Sequence, residues 1–596
     1  MFIVFMFRVL LLLMWMGSVM ADDGVHYEFS VANAAQHLGR VSMQIPLTAH
    51  KQLELKLPVW RTGRYEVLDL SKNITNFSAE DEQGQPLNWH KSDKNTWVIE
   101  NPTQGPVNIH YLVYANMLRS RVAHIDDSHA FLDASGVFMF VTDLRSSPLS
   151  VTMKVPDHWR SRSGMHSPSD HVFVADNYDQ LVDSPIESGM HQFMAFQAAE
   201  RDFEIVIWGE GNVDISDLKA KIEKIIQVAE DLWGDFPFQR YVFMYHVGAG
   251  LRGATEHVNS TIIQSDRFQF KPLKNYFKVL ATTAHEFVHT WNVKSYRPAG
   301  IAPYDYDAEN YSALFWMVEG STSYYDDLFL LRAGIYSPKD YFKELADNIY
   351  NHLNKPGREI SSVAMSSFDT WLDNDAHFNL NNQVSIYLEG ALKSWALDRA
   401  IREKSHRRYS YDDVQRALFK QHSNMDVGYT EVDVQTILNH LTDSDMRGFW
   451  RTYISGTEAL DFDALLAFYG LKRVFDDSDN KPVWLGIETQ ADEVGVGVRA
   501  VHRDSPAWEA GLTGGDVVVA INGLRVHSDN WTDHLAMMSV GVAYEMSFFS
   551  GDQLKTVSVR AMNHPNPKFS IQPVDNPTRQ QQKVFKDWTG QSLPEV

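Results

Sequence analysis

Between Val25 and about Ile207 apolar and polar residues alternate over short runs, as in QLELKLPVW, TWVIE, VNIHYLVY and VFMFV. A period of two places every second side chain on one face, so these runs predict strands with one buried side. Turn-forming clusters separate them, from Glu82 to Pro86 and from Asn101 to Gly105, and the whole predicts a β-rich domain of sandwich or saddle type. At Asp214 the period changes. DISDLKAKIEKIIQVAEDLWGDF spaces its apolar residues by three and four behind an Asp or Ser able to cap a helix, and a mainly helical region runs on to about Tyr469. Short strands return near Pro482 and last to about Met562, in WLGIE, VGVRAV, GDVVVAING and MSFFS. A strand-like KFSIQPV and a short helix, RQQQKVFKDW, close the chain, with no tandem repeat or low-complexity tract.

The first residues, MFIVFMFRVLLLLMWMGSVMADDG, carry one early cation at Arg8, an apolar run to about Met16 and small residues ending at Ala21. That is the build of a secretory signal peptide cleaved after Ala21. The run is short for a span of ~20 residues and no later stretch is longer, so the mature chain is expected to lack a stable membrane span. With 596 residues the chain is too long for one core. The expected organisation is a signal peptide at 1–21, a β-rich domain at 22–208, a mainly helical domain at 209–476, a β module at 477–564 and a terminal extension at 565–596. The net charge of −22 is spread without acidic blocks, which argues against nucleic acid and anionic membrane surfaces as partners. There is no cysteine, so a metal would have to be held by His and carboxylates. Export without cysteine fits a bacterial periplasm or the extracellular space.

KVLATTAHEFVHTWNVK, from Lys278 to Lys294, has no Gly or Pro and sets Leu280, Ala284, Phe287, Val288 and Trp291 on overlapping turns, which predicts a buried amphipathic helix. On it His285 and His289 lie four apart and project from one face, and Glu286 stands beside them, able to take a proton from a metal-activated water. A catalytic zinc takes three protein ligands and one open position. SALFWMVEGSTSYYDDLFLL predicts a second buried helix in which Glu319 is the one acid among apolar residues, so a cation must sit near it. That makes Glu319 the candidate third ligand, with an Arg or Lys partner as the alternative. Asp305, Asp307 and Glu309 are competing ligands on a Tyr- and Pro-rich loop, and Asp326 or Asp327 could hold a ligand histidine by its free ring N–H.

HEFVHTWNVK and WMVEGSTSYYDDL, together with LPVWRTGRYEV and YLEGALKSWALDRAIR, resemble the glycyl aminopeptidase family, exported gluzincin metallopeptidases with a C-terminal PDZ domain. The resemblance spans nearly the whole mature chain. It implies a multidomain α+β protein: an N-terminal β-rich domain, a thermolysin-like, mainly helical peptidase domain and a PDZ domain. It implies one zinc ion on His285, His289 and Glu319, with Glu286 as general base. Gly253 to His257 in GLRGATEHVNST resembles the family's edge-strand motif, so Gly253 would line the substrate and Glu256 would bind its free α-amino group. Tyr387, three before Gly390, matches the tyrosine that donates to the tetrahedral oxyanion. Two positions depart from the pattern. Glu389 replaces the usual Lys, which is expected to alter the charge near Tyr387, and TGRY at Thr62 to Tyr65 replaces PGSY, expected to matter only to a turn.

Leu485, Gly486 and Ile487, in WLGI, resemble the loop with which PDZ domains bind a peptide carboxylate, and DSPAWEAGLTGGDVVVAING resembles their central segment. The expected partners are peptides with a free amino terminus at the metal centre and a peptide carboxyl terminus at the PDZ groove. The favoured function is aminopeptidase action on small amino-terminal residues, Gly or Ala. An endopeptidase with the same centre is one competing reading. A PDZ-based periplasmic binding or quality-control protein with a vestigial metal site is the other.

Overall fold

The computed structural model describes residues 24–475 and 483–595, so the expected signal peptide at 1–21 and the expected boundary at 476/477 lie outside the described residues. The alternating runs form a seven-stranded sheet in the order His166–Ser169, Val172–Ala175, Leu149–Lys154, Val25–Asn33, Leu38–Ile45, Val107–Tyr114, Ile74–Asp81. In Val107–Tyr114 the residues Val107, Ile109, Tyr111 and Val113 are buried while those between face outward. Val41 lies opposite Tyr111 across the antiparallel pair. Every second side chain therefore joins one core. Two four-stranded sheets complete this β-rich body, and Tyr306, from far along the chain, packs into its core.

The second body is built on five strands: β1 (Gln192–Ala198), β2 (Arg201–Trp208), β3 (Arg240–Gly248), β4 (Gly253–Glu256) and β5 (Ser260–Asp266). Their order is β1-β2-β3-β5-β4, with β2, β3 and β5 parallel and β4 an antiparallel edge strand. β3 is buried on both faces, as its apolar run YVFMY requires. On one face lie α1 (Ile215–Trp233) and α2 (Leu273–Val288), whose apolar residues share a core with Phe203, Ile205 and Ile207 of β2. The N-terminal body covers the other face, where its Phe131 meets Val206, Val242, Met244 and Ile262. Thus β1 and β2, grouped by their periodicity with the N-terminal region, belong to the sheet of the second body. The Asp214 side chain caps α1 by accepting from the N–H groups of Ser216 and Asp217, and Gly234, in the left-handed conformation, ends it.

α3 (Ser321–Arg332) packs beside α2, and α4 (Ile386–Lys404) packs against α3. A third body is a β-sheet module with its own core around Leu485, Val498, Val518 and Phe548. It docks on the helix Ala376–Asn382: Asn381 Nδ2 donates to the Val501 carbonyl at 2.8 Å, and Arg503 N–H donates to Asn381 Oδ1 at 2.8 Å. After it the chain returns. Strand Phe569–Pro573 pairs with Leu471–Phe475, and α5 (Arg579–Thr589) buries Val584, Phe585 and Trp588 in the core of the helical body. The segment expected as a terminal extension is thus part of that core, and the β module is inserted between two of its strands. Among the described residues no helix is long and apolar enough to cross a membrane.

Trp588 is fully buried, lies 4.3 Å centroid to centroid from Tyr469 and donates its indole N–H to the Tyr324 hydroxyl at 2.9 Å. Trp588→Ala is expected to cost about 3–5 kcal/mol, seen as a lower midpoint of guanidinium-induced unfolding. An unchanged midpoint would mean that α5 is peripheral to the helical body.

Candidate metal centre and cleft

α2 packs Tyr276, Val279, Leu280, Thr283, Ala284 and Phe287 inward, which leaves His285, Glu286 and His289 on the face toward a cleft. The turn after the helix is fixed by an unusual backbone. Val293 has φ of 108°, a region costly for a β-branched residue, and Trp291 stacks on Trp233 at 4.3 Å. That turn aims the Asn292 carbonyl at His289 Nδ1, 2.9 Å away, while Asn292 Nδ2 donates to the carbonyls of Met317 and Val318 at 2.8 and 3.0 Å. One side chain therefore clamps the end of the histidine helix to the turn that presents Glu319.

Glu319 sits on a wide π-helical turn, Trp316–Gly320, that leads into α3. Gly320 approaches Gly390 of α4 so closely that a Cβ on either would strike the other's Cα, which lets the start of α4 carry Tyr387 over the centre. His285 Nε2 and His289 Nε2 lie 3.1 Å apart, and Glu319 Oε2 lies 3.6 and 3.3 Å from them. His285 Nδ1 faces the Asp326 carboxylate at 3.3 Å. With both Nδ1 atoms directed at acceptors, the Nε2 lone pairs converge. A tetrahedron with bonds of 2.0–2.1 Å has edges of about 3.3 Å, so two nitrogens and one oxygen at these separations fit a zinc ion. Asp305, Asp307 and Glu309 stay on an exposed loop, where Asp307 pairs with Lys56 at 2.6 Å. Asp327 accepts instead from the Tyr336 hydroxyl.

The cleft is a cavity of about 350 Å3 that also takes in Glu256, Glu286 and Tyr387. Glu256, Glu286 and His289 each offer a donor atom within 4.8 Å of the others. Burial pushes the Glu286 carboxyl up to about 7 against the pull of the two imidazoles. Tyr387 is 42% exposed. Burial of its hydroxyl, then the carboxylates of Glu319, Glu256 and Glu286, hold the phenol well above its usual range, so it remains a proton donor. From the N-terminal body, the Tyr65 hydroxyl donates to Glu319 Oε1 at 2.7 Å, and a Cβ on Gly63 would collide with the Glu256 carboxylate. The stretch Thr62 to Tyr65 is therefore a wall of the cleft and not merely a turn. Tyr65, Asn292, Arg64 and Arg121 escaped the sequence reading. The signal for Tyr65 was its place in WRTGRY, and that for Asn292 its place directly after the histidine helix.

In the β module Gly486 has φ of 76°, and its carbonyl accepts from His502 N–H at 2.8 Å, while that of Leu485 accepts from Ala507 N–H at 3.0 Å. Ile487 opens an edge strand, Ile487–Ala491. A second buried donor group lies between the first two bodies. Glu187 receives His129 Nδ1 at 3.0 Å and His246 Nε2 at 2.9 Å, so each of its oxygens already has a ring nitrogen as partner. That is a satisfied polar network rather than an open set of lone pairs.

Family profiles match three stretches: the Peptidase M61 N-terminal domain over residues 26–190, the M61 glycyl aminopeptidase over residues 278–393, and a PDZ domain over residues 497–537. The chain is similar to the crystal structure of an aminopeptidase N family protein from Idiomarina loihiensis, at 28% identity and a TM-score of 0.88, over 95% of this chain and 100% of that one. It also resembles an M1 zinc metallopeptidase from Deinococcus radiodurans at 12% identity and a TM-score of 0.48, over 74% of this chain and 94% of that one. Among curated proteins none matches the chain.

Glu389 does not act on Tyr387 as its sequence position implied. Two helical positions apart, the side chains point some 200° from one another. Glu389 instead accepts from His352 Nδ1 at 2.6 Å and pairs with Lys393 at 3.1 Å, all three buried. Burial opposes its ionisation, but His352 and then Lys393 hold the carboxyl at about 2 instead of 4.5. With the folded value below the unfolded one, the resulting stability is present above pH 4.5 and is lost as pH falls toward 2. That gap corresponds to about 3 kcal/mol. Glu389→Gln should remove this part of the acid destabilisation. Identical pH-dependent losses of unfolding free energy in variant and parent would refute it.

Proposed function

Because this chain belongs to the M61 glycyl aminopeptidase family and is a metallo-aminopeptidase, we propose that it releases small amino-terminal residues, Gly or Ala, from peptides at one zinc ion held by His285, His289 and Glu319. Bound there, zinc supplies Lewis acidity toward the scissile carbonyl and the attacking water. Glu286 takes the proton from that water and delivers it to the leaving amine; its raised proton affinity suits both tasks. The Tyr387 hydroxyl donates to the oxygen that gains negative charge in the tetrahedral intermediate. Asp326 and the Asn292 carbonyl keep the two imidazoles in one tautomer, and the Tyr65 hydroxyl holds the second oxygen of Glu319.

The observation that carries the exopeptidase reading is the carboxylate of Glu256, 5% exposed and within 4.8 Å of Glu286 and His289 at their donor atoms. A buried carboxylate favours a cation in direct contact, and the ammonium of a peptide's first residue would supply one. Anchoring the amine there leaves room for one residue before the reacting carbonyl. Export to a bacterial periplasm or beyond, and capture of a peptide carboxyl terminus at Leu485, Gly486 and Ile487, are part of the same proposal.

Glu286→Gln is expected to lower kcat by about 10²–10⁴-fold while zinc remains bound, checked by mass spectrometry of released amino acids and by elemental analysis. Near-parental turnover would sink its role as base. Removal of the metal by a chelator should abolish cleavage, and added zinc should restore it. Peptides whose amine is acetylated should resist the native enzyme, and equal cleavage of blocked and free peptides would favour an endopeptidase.

A further inference from the structure

β4 is the outermost strand of its sheet: one edge pairs with β5, and Gly253, Ala254 and Glu256 border the cleft. An extended peptide laid antiparallel along the open edge, with its amine at Glu256, runs toward Gly253. At that end stands Arg121, from the N-terminal body. Its guanidinium fills the space that a Cβ on Gly253 would need, and its Nε donates to Thr255 Oγ1 at 3.0 Å. Its Nη1 reaches the carbonyls of Arg119 and Arg252 at 3.4 Å, and among the described residues it has no carboxylate partner. Arg64, the other guanidinium on the cavity, is already paired with Glu66. Burial, then the nearby Arg61, pushes Arg121 down to about 10 against the opposing pull of the Glu286 and Glu256 carboxylates.

Three strand steps separate Glu256 from Gly253, about 10 Å at 3.3–3.4 Å per residue. An extended tripeptide covers about the same length from amine to carboxylate. Resting on the aminopeptidase reading, we propose that Arg121 recognises the free terminal carboxylate of the substrate, so that Glu256 and Arg121 together select tripeptides. In longer peptides a neutral amide falls at Arg121, and in dipeptides the carboxylate stops about 3 Å short. A guanidinium–carboxylate pair in a confined site is two-pronged and stronger than a neutral hydrogen bond.

The test compares Ala-Ala-Ala, its carboxyl-terminal amide and Ala-Ala-Ala-Ala-Ala with the metal-loaded full chain. The free acid should exceed the amide about 10- to 100-fold in kcat/KM, with the pentapeptide near the amide. In Arg121→Gln the acid-to-amide ratio should fall toward one. A purely structural Arg121 would lower all three substrates alike and leave the ratio intact. Equal rates on acid and amide in the parent, or a ratio retained in the variant, would overturn the proposal, and the parent comparison decides even if the variant does not fold. Absence of amino-terminal cleavage from every peptide would instead sink the aminopeptidase reading together with this one.

Discussion

Two imidazole nitrogens and a carboxylate oxygen, all presenting lone pairs within 3.6 Å of one another, repel unless a cation lies between them. Holding them together is the constraint around which the helical body is arranged. α2 supplies the two rings at four-residue spacing, but the carboxylate comes from a different element, and the relative position of the two is set by packing. Asn292 ties the end of α2 to the backbone of the turn bearing Glu319, and the contact between Gly320 and Gly390 fixes that turn against α4. Either glycine replaced by a larger residue would push α4, and with it Tyr387, away from the centre.

The cleft is not the property of the helical body alone. Tyr65 and Gly63 reach in from the N-terminal β-rich body, the first bonded to Glu319 and the second pressed against Glu256. Arg121 arrives from the same body and lies on the edge strand. The seat of Phe131 on the far face of the five-stranded sheet keeps the two bodies in register. The wall of the cleft therefore depends on an interface between bodies, whereas His285, Glu286 and His289 sit together on the last turn and C-cap of one helix.

The third body is joined to the others differently. It leaves the helical body after Leu471–Phe475 and rejoins it at Phe569–Pro573, and the two strands pair. Because α5 then completes the core under α3, the inserted module is bracketed by segments that must fold together. Its docking contacts centre on Asn381 and Arg503, with Trp508 stacked on His377, in contrast to the fully buried packing of Trp588.

Periodicity by itself determined the element types: the alternation in Val107–Tyr114, the three-and-four spacing behind Asp214 and the spacing of His285 and His289 are local properties of a strand or a helix. So was the isolation of Glu319 among apolar neighbours, because a buried acid demands a cation wherever it lies. Tertiary structure alone decided which elements share a core. The strands β1 and β2 alternate like those before them, yet pair with β3, since period two states that a face is buried and not against what. The same reason hid the pairing of Glu389 with His352, the return of α5 to the helical core, and the arrival of Tyr65 and Arg121 in the cleft. Each depends on contacts between residues far apart in the chain, which no local pattern encodes.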